Sequence, residues 1–321
     1  MHTTKYPRVL ASALAAIAIV GLAGCSSGES SGSGSGKGTV GIVEFDSTSP
    51  PDAAIAAGAQ AGLKADGWDV VAQDPKGDPG QANSICAQFV TRQVKALMIT
   101  TFADDQMAQC TSQASAANIP VFYVGSPLRE GMAGAIDTTN PAPINDLFID
   151  YVKTNKVTDV FTLDYSPGTP CRLRAEYRDE RLNELGVKVS KHEFPVPGQV
   201  VDSQNATAAW LAAHPASSGT LAIWSCFTDA SQGAVAAFNQ ANRSDVPIFT
   251  WDFNKQLLDP IKSGQVAATL SLDGTGVGEQ VVGLINGFLA DGTREGLNAE
   301  SEVLTADTVD AYVEANPDSV K

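Results

Sequence analysis

The chain has 321 residues, of which 43% are hydrophobic, and its 36 Asp and Glu outweigh 21 Lys and Arg for a formal net charge of −15 at pH 7. That acidity excludes nucleic acid and an anionic bilayer as electrostatic partners and reads as solubility. The length suits one large packed domain or two ordinary ones.

In chain order, the first element is an export signal. Lys5 and Arg8 precede a run of small apolar residues from Val9 to Ala23. The run has the length of a signal-peptide core and is short for a membrane span. "LAGC" (Leu22, Ala23, Gly24, Cys25) resembles the bacterial lipobox. That resemblance implies a signal peptide over 1–24, cleavage before Cys25, and a lipid on its thiol. The alternatives are an ordinary secretory signal with an incidental cysteine and an uncleaved N-terminal anchor. Residues 26–38, "SSGESSGSGSGKG", are too polar to bury and too Gly-rich to order. They make a leash of roughly 20 Å r.m.s. span, so 25–38 is expected to be a lipid-anchored linker. Loss of Lys5 and Arg8 with the signal leaves 19 basic residues against 36 acidic ones, a balance of −17.

Beyond the leash one unit recurs: a β-rich run, a polar loop and an Ala-rich helix. "TVGIVEF" leads through "DSTSPP" into a helix with Pro51 in its first turn and Gly67 at its end. There follow "WDVVAQ" with helix 81–94, "ALMITTF" with helix 104–117, and "PVFYVG". After "GAIDTTN" the pattern restarts with helix 142–155, "DVFTLDY", helix 171–185, "VKVSKHEF" and helix 203–213. It continues through "LAIWSC", helix 229–242, "PIFTWD", helix 254–263, "AATLSL" and helix 277–290. Strands alternating with helices predict parallel sheets covered on both faces. About ten or eleven strands exceed one small sheet, which predicts two doubly wound lobes. Ligands of such sheets bind beyond the carboxyl ends of the strands.

The order and spacing of "GIVEFDSTSPP", "AANIPVFYVGS", "SPGTPCRLRAEYRDERL", "FTDASQGAVAAF", "VPIFTWDFN" and "SGQVAATLSLDGTGVGEQVV" resemble the periplasmic sugar-binding proteins of the ribose-binding type. These are the solute receptors of ABC importers. The resemblance spans about residues 39–305 and implies an α/β fold of two doubly wound parallel-sheet lobes joined by three crossover strands, the type I periplasmic-binding-protein fold. The crossings are expected near Thr138–Asn140, Leu272–Asp273 and Glu302–Leu304. That gives an N-terminal lobe of 39–139 plus 273–303 and a C-terminal lobe of 140–272 plus 304–321. The implied function is a monomeric, extracytoplasmic receptor, anchored to the cell membrane through lipidated Cys25. It captures a small sugar-like or ring-bearing polar ligand in the cleft for an ABC permease, without a cofactor. A ligand sensor for a membrane signalling partner is the main alternative, and an exported enzyme a weaker one. The sequence has no GxSxG elbow and no HExxH. The three histidines, His2, His192 and His214, are far apart and no CxxC is present, which argues against a zinc site. "GTGVGEQ" (274–280) lacks the third glycine of a dinucleotide loop, since Glu279 stands there, and reads as a strand-to-helix turn. The same fold serves lactose-repressor-like regulators, but an export signal stands here in place of a DNA-binding helix pair.

Carried over position by position, the resemblance places Ser49, Pro51 and Asp52 after the first strand, with no ring among them. Ser126 stands where the family has a charged pair. Arg172 falls on the family's hydroxyl-binding arginine, with Arg174 one alignment gap away. Phe227 replaces an asparagine, and Trp251, Asp252 and Asp273 complete the expected ligand-binding set. Trp224, inside a strand, is expected in the core. Fewer sugar-grade polar groups and more rings imply a ligand less hydroxylated than a free pentose. The expected lobe order makes Cys86–Cys110 and Cys171–Cys226 the disulfide candidates, because the other two pairings of four cysteines would join one lobe to the other across the cleft. The alternative is four buried free thiols.

Overall fold

The computed structural model describes residues 36–320, so the signal run, the expected lipidation of Cys25 and most of the leash lie outside the described residues. The chain runs β1 (Thr39–Val43), α1 (Pro50–Ala65), β2 (Asp69–Gln73), α2 (Pro79–Thr91), β3 (Ala96–Thr100), α3 (Ala108–Ala116), β4 (Val121–Val124) and β5 (Gly134–Asp137). It continues as α4 (Ala142–Thr154), β6 (Asp159–Asp164), α5 (Thr169–Leu185), β7 (Lys188–Glu193), α6 (Gln199–Ala213), β8 (Leu221–Ser225), α7 (Thr228–Ala241), β9 (Ile248–Phe249) and α8 (Leu258–Lys262). It closes with β10 (Val266–Leu272), α9 (Gly274–Asp291), β11 (Glu295–Asn298), β12 (Ser301–Leu304) and α10 (Val309–Ala315).

Two six-stranded sheets result, in the orders β11-β5-β4-β3-β1-β2 and β12-β10-β9-β8-β6-β7. The first is parallel throughout. The second is parallel except that β12 lies antiparallel on β10, with Thr269 opposite Leu304. β3 and β4 are buried along their whole length, as strands covered on both faces must be. Prolines explain why two helices begin before the expected residue. Pro79 starts α2 behind Asp78, whose carboxylate accepts from the Gln81 N–H at 2.8 Å, and Pro170 sits in the first turn of α5. The helix expected over 254–263 divides into a 3-10 turn at Lys255–Leu257 and α8, because Asn254 caps the turn and Pro260 suits only a first helical turn.

The third passage between the sheets corrects the expectation. Residues 301–304 are already β12 of the second sheet, so the chain crosses between Asn298 and Ser301 rather than at Glu302–Leu304. Two residues suffice because β11 and β12 are edge strands of their sheets. The "GTGVGEQ" stretch is also more than a turn. Asp273 caps α9 by accepting from the Gly276 N–H at 2.9 Å. Gly278 lies against α1, where a side-chain carbon would strike the Ile55 carbonyl, and Gly58 answers it against the Thr275 carbonyl. Only hydrogen at both positions lets the two helix backbones approach so closely.

Both expected disulfides form. Cys86 of α2 joins Cys110 of α3 with Cα atoms 5.5 Å apart, and Cys171 of α5 joins Cys226, just past β8, at 5.2 Å. Among the described residues no helix is long and apolar enough to cross a membrane.

Candidate functional site

Beyond the carboxyl ends of the strands the two lobes meet around a small cavity of about 60 Å³. The lobes touch directly at its edge. Phe102 and Gly168 form an antiparallel bridge, and the Thr169 N–H donates to the Thr101 carbonyl at 3.1 Å. The described state is therefore closed, since these residues follow β3 on one side and open α5 on the other.

Of the expected residues, Ser49, Pro51, Asp52, Phe227 and Asp252 stand in the cavity wall. Asp52 opens the first turn of α1, and its carboxylate accepts from the Thr101 hydroxyl at 2.6 Å. Burial pushes Asp52 up to about 7, against the hydrogen bonds of Thr101 and Ser49, with the charges of Asp252 and Asp46 adding to the rise. Asp252 follows β9 with φ +64, a left-handed conformation that an aspartate tolerates better than most residues. Burial raises its pKa also, partly offset by Arg174. Thr101, the residue just past β3, has φ +64 as well. Two such residues at the mouth of one cavity are the kind of local strain that collects at functional sites.

Four expected residues fall outside the wall. Arg172 points away and lies 3.8 Å from Asp105 as an ion pair. Arg174 takes its place. The buried face of α5 runs Cys171, Arg174, Arg178, Leu182, a helical stripe that Arg172 misses by about half a turn. The Arg174 guanidinium donates to the carbonyls of Thr138 at 3.0 Å, Thr139 at 3.4 Å and Cys226 at 3.0 Å, and sits 3.8 Å from Asp252. It thus ties the first crossing to the second lobe. Trp251 is wholly buried and meets Trp224 edge-on at 5.3 Å. Residues 251 and 252 project oppositely, so Asp252 in the cavity puts Trp251 in the core, where Trp224 was expected. Ser126 is buried and turns to the Pro127 carbonyl, while Pro170 packs against the neighbouring Gly125. Asp273 caps α9, leaving its neighbour Leu272 to face the cavity.

The stretch Ser49–Asp52 carries no ring, but Phe45, just past β1 and absent from the expected set, lines the cavity. It lies edge-on to Phe102 at 4.9 Å and to Tyr165 at 5.9 Å. Tyr165 stacks on Phe194 at 5.7 Å, which meets Phe227 at 5.4 Å. Aromatic rings thus run from one lobe to the other, and Phe45, Tyr165 and Phe227 reach the cavity. Phe45 was legible in "GIVEF": alternation from buried Val43 puts it on the same face of the extending strand.

A periplasmic binding protein domain matches residues 42–292, and the chain belongs to that family. Over 243 residues, 73% of this chain and 79% of its relative, it is 23% identical to the ribose import binding protein RbsB of Escherichia coli (strain K12). Its fold matches an ABC transporter solute binding protein from Agrobacterium vitis with bound allitol at a TM-score of 0.78, with 18% identity, covering 87% of this chain and 98% of that one. It matches a 5-methylthioribose transporter solute binding protein from Thermotoga lettingae TMO in complex with 5-methylthioribose at 0.76, with 19% identity, covering 87% and 91%. The family and these structural neighbours are solute-binding proteins rather than enzymes.

Proposed function

We propose that this chain is an extracytoplasmic solute-binding protein, tethered through a lipid on Cys25, that captures a small sugar-like or ring-bearing polar ligand between its lobes and delivers it to an ABC permease. The observation that carries this reading is the cavity where both sheets' strand ends converge, with Asp52, Arg174 and Asp252 set among three rings. The relatives named for ribose import and 5-methylthioribose transport, and the one with bound allitol, support a small polyhydroxylated ligand class. Ser49, Asp52, Arg174, Phe227 and Asp252 are assigned to the ligand, and Arg172 is not. The tether would let a monomeric body reach its permease from the membrane surface.

Two measurements test the reading. The ligand released by denaturing the purified protein is titrated back into the refolded chain. Asp252→Ala is expected to weaken it by about 1.5–3 kcal/mol, the range for hydrogen bonds to charged groups, while Arg172→Ala leaves affinity unchanged. Equal affinity for wild type and Asp252→Ala, or conversion of the ligand to a product, would sink it. For the tether, Cys25→Ala is expected to leave an unprocessed, unlipidated precursor. A variant still cleaved between Gly24 and residue 25 and still retained on the membrane by a lipid would refute the anchor.

A further inference from the structure

We infer that the ligand of the interlobe cavity presents a protonated nitrogen to Asp252 and Asp52, as an amino sugar or a small hydroxyalkyl amine does. This inference rests on the cavity being the binding site. It comes from the balance of charge in and around the wall. The hydroxyls of Ser49, Thr138 and Tyr165 could also serve a neutral polyol, but carboxylates there outnumber the one cation, and an ammonium supplies both the missing charge and donors.

The wall's one cationic donor is engaged within the protein. Arg174, 3% exposed, is the one Lys, Arg or His of the wall among the described residues, and it donates to three main-chain carbonyls. The Thr101 hydroxyl is given to Asp52. The Asp252 carboxylate has no such partner. Asp252 is 9% exposed and lines the cavity, yet among the described residues no donor hydrogen-bonds to its carboxylate, and Arg174 stays 3.8 Å away. A buried carboxylate facing a cavity with no donor of its own is a strong demand for one from the ligand.

The surroundings raise that demand. Asp46 and Asp229 are buried nearby, 1% and 4% exposed, and one oxygen of Asp46 has no partner among the described residues. Asp229 receives the Gln199 amide at 2.9 Å. Four carboxylates thus share this region with the single arginine. Phe45, Tyr165 and Phe227 also line the cavity, and an aromatic face attracts a cation. Burial and neighbouring carboxylates hold Asp52 up at about 7; an adjacent ammonium would favour its ionised form.

The test uses probe pairs that differ by one ammonium in place of one hydroxyl: D-glucosamine against D-glucose, D-galactosamine against D-galactose, and ethanolamine against ethylene glycol. Binding to ligand-stripped protein is read by calorimetry and by the shift in Tm. In at least one pair the amine is expected to bind about tenfold or more tightly than its partner, as a charge-assisted hydrogen bond should give. The sugar pairs and the ethanolamine pair separate an amino sugar from a simple amine. Asp252→Asn, which keeps the shape and removes the charge, is expected to erase the preference. Equal or tighter binding of the neutral partners overturns the inference and leaves the cavity as a sugar site. Binding of no amine in any pair overturns it too, as does a preference that survives Asp252→Asn; the Proposed function is then judged separately by the released ligand.

Discussion

Arg174→Ala is expected to lower stability by about 3–5 kcal/mol, the range for removing one partner of a buried ionic group, and to reduce ligand binding below detection. The guanidinium is buried, and burial lowers its pKa against the opposing pull of Asp252 and Asp137. Its removal would leave the Thr138, Thr139 and Cys226 carbonyls without this donor and Asp252 without a countercharge. It would also leave a void under the ring of Trp251, over which the guanidinium carbon sits at 5.1 Å. Arg174→Lys should recover little, because an ammonium cannot span three carbonyls as the planar fork does. Urea unfolding provides the measure. An unfolding free energy within about 1 kcal/mol of wild type would mean that the crossing does not depend on this residue.

The second large effect concerns the cysteines. Opening Cys171–Cys226, whose partners are 55 residues apart, is expected to cost about 4 kcal/mol by the chain-entropy relation. Opening Cys86–Cys110, 24 residues apart, should cost about 3.5 kcal/mol by the same relation. The two differ more sharply in binding. Cys171 and Pro170 line the cavity at the start of α5, and Cys226 offers its carbonyl to Arg174. The Cys171→Ser/Cys226→Ser variant should therefore lose affinity as well as stability, since the first turn of α5 must then be ordered on binding. Cys86→Ser/Cys110→Ser should lose stability with affinity kept. Equal binding by both variants would separate the cleft bridge from ligand recognition.

Much of the architecture was legible because its causes are local and repeated. Alternating apolar runs and Ala-rich stretches, punctuated by Pro and Gly, gave the two wound sheets. β11 and β12 were harder: they are short edge strands with exposed residues, and no helix separates them to mark the turn from one sheet to the other. The site was legible only in part. Asp52, Phe227 and Asp252 sit at strand or helix ends, where linear position predicts location well. Arg172 failed because alignment gaps matter on a helix, where two residues reverse the face; the stripe through Cys171, Arg178 and Leu182 selects Arg174. Trp251 failed for the analogous reason in extended chain, where one residue reverses it. Phe45 shares its face with buried Val43, but it precedes the loop to which the resemblance assigns ligand contacts, so only alternation marks it.

The central claim is a cleft between two lobes that closes on its ligand, and the described state is the closed one. Small-angle scattering tests it most directly, on protein stripped of its co-purified ligand and again after saturation with that ligand. The account predicts a larger radius of gyration without ligand, with the Phe102–Gly168 bridge broken, and a smaller one on saturation that matches the closed form. Identical curves in the two states, at a ligand concentration that calorimetry shows to be saturating, would contradict it.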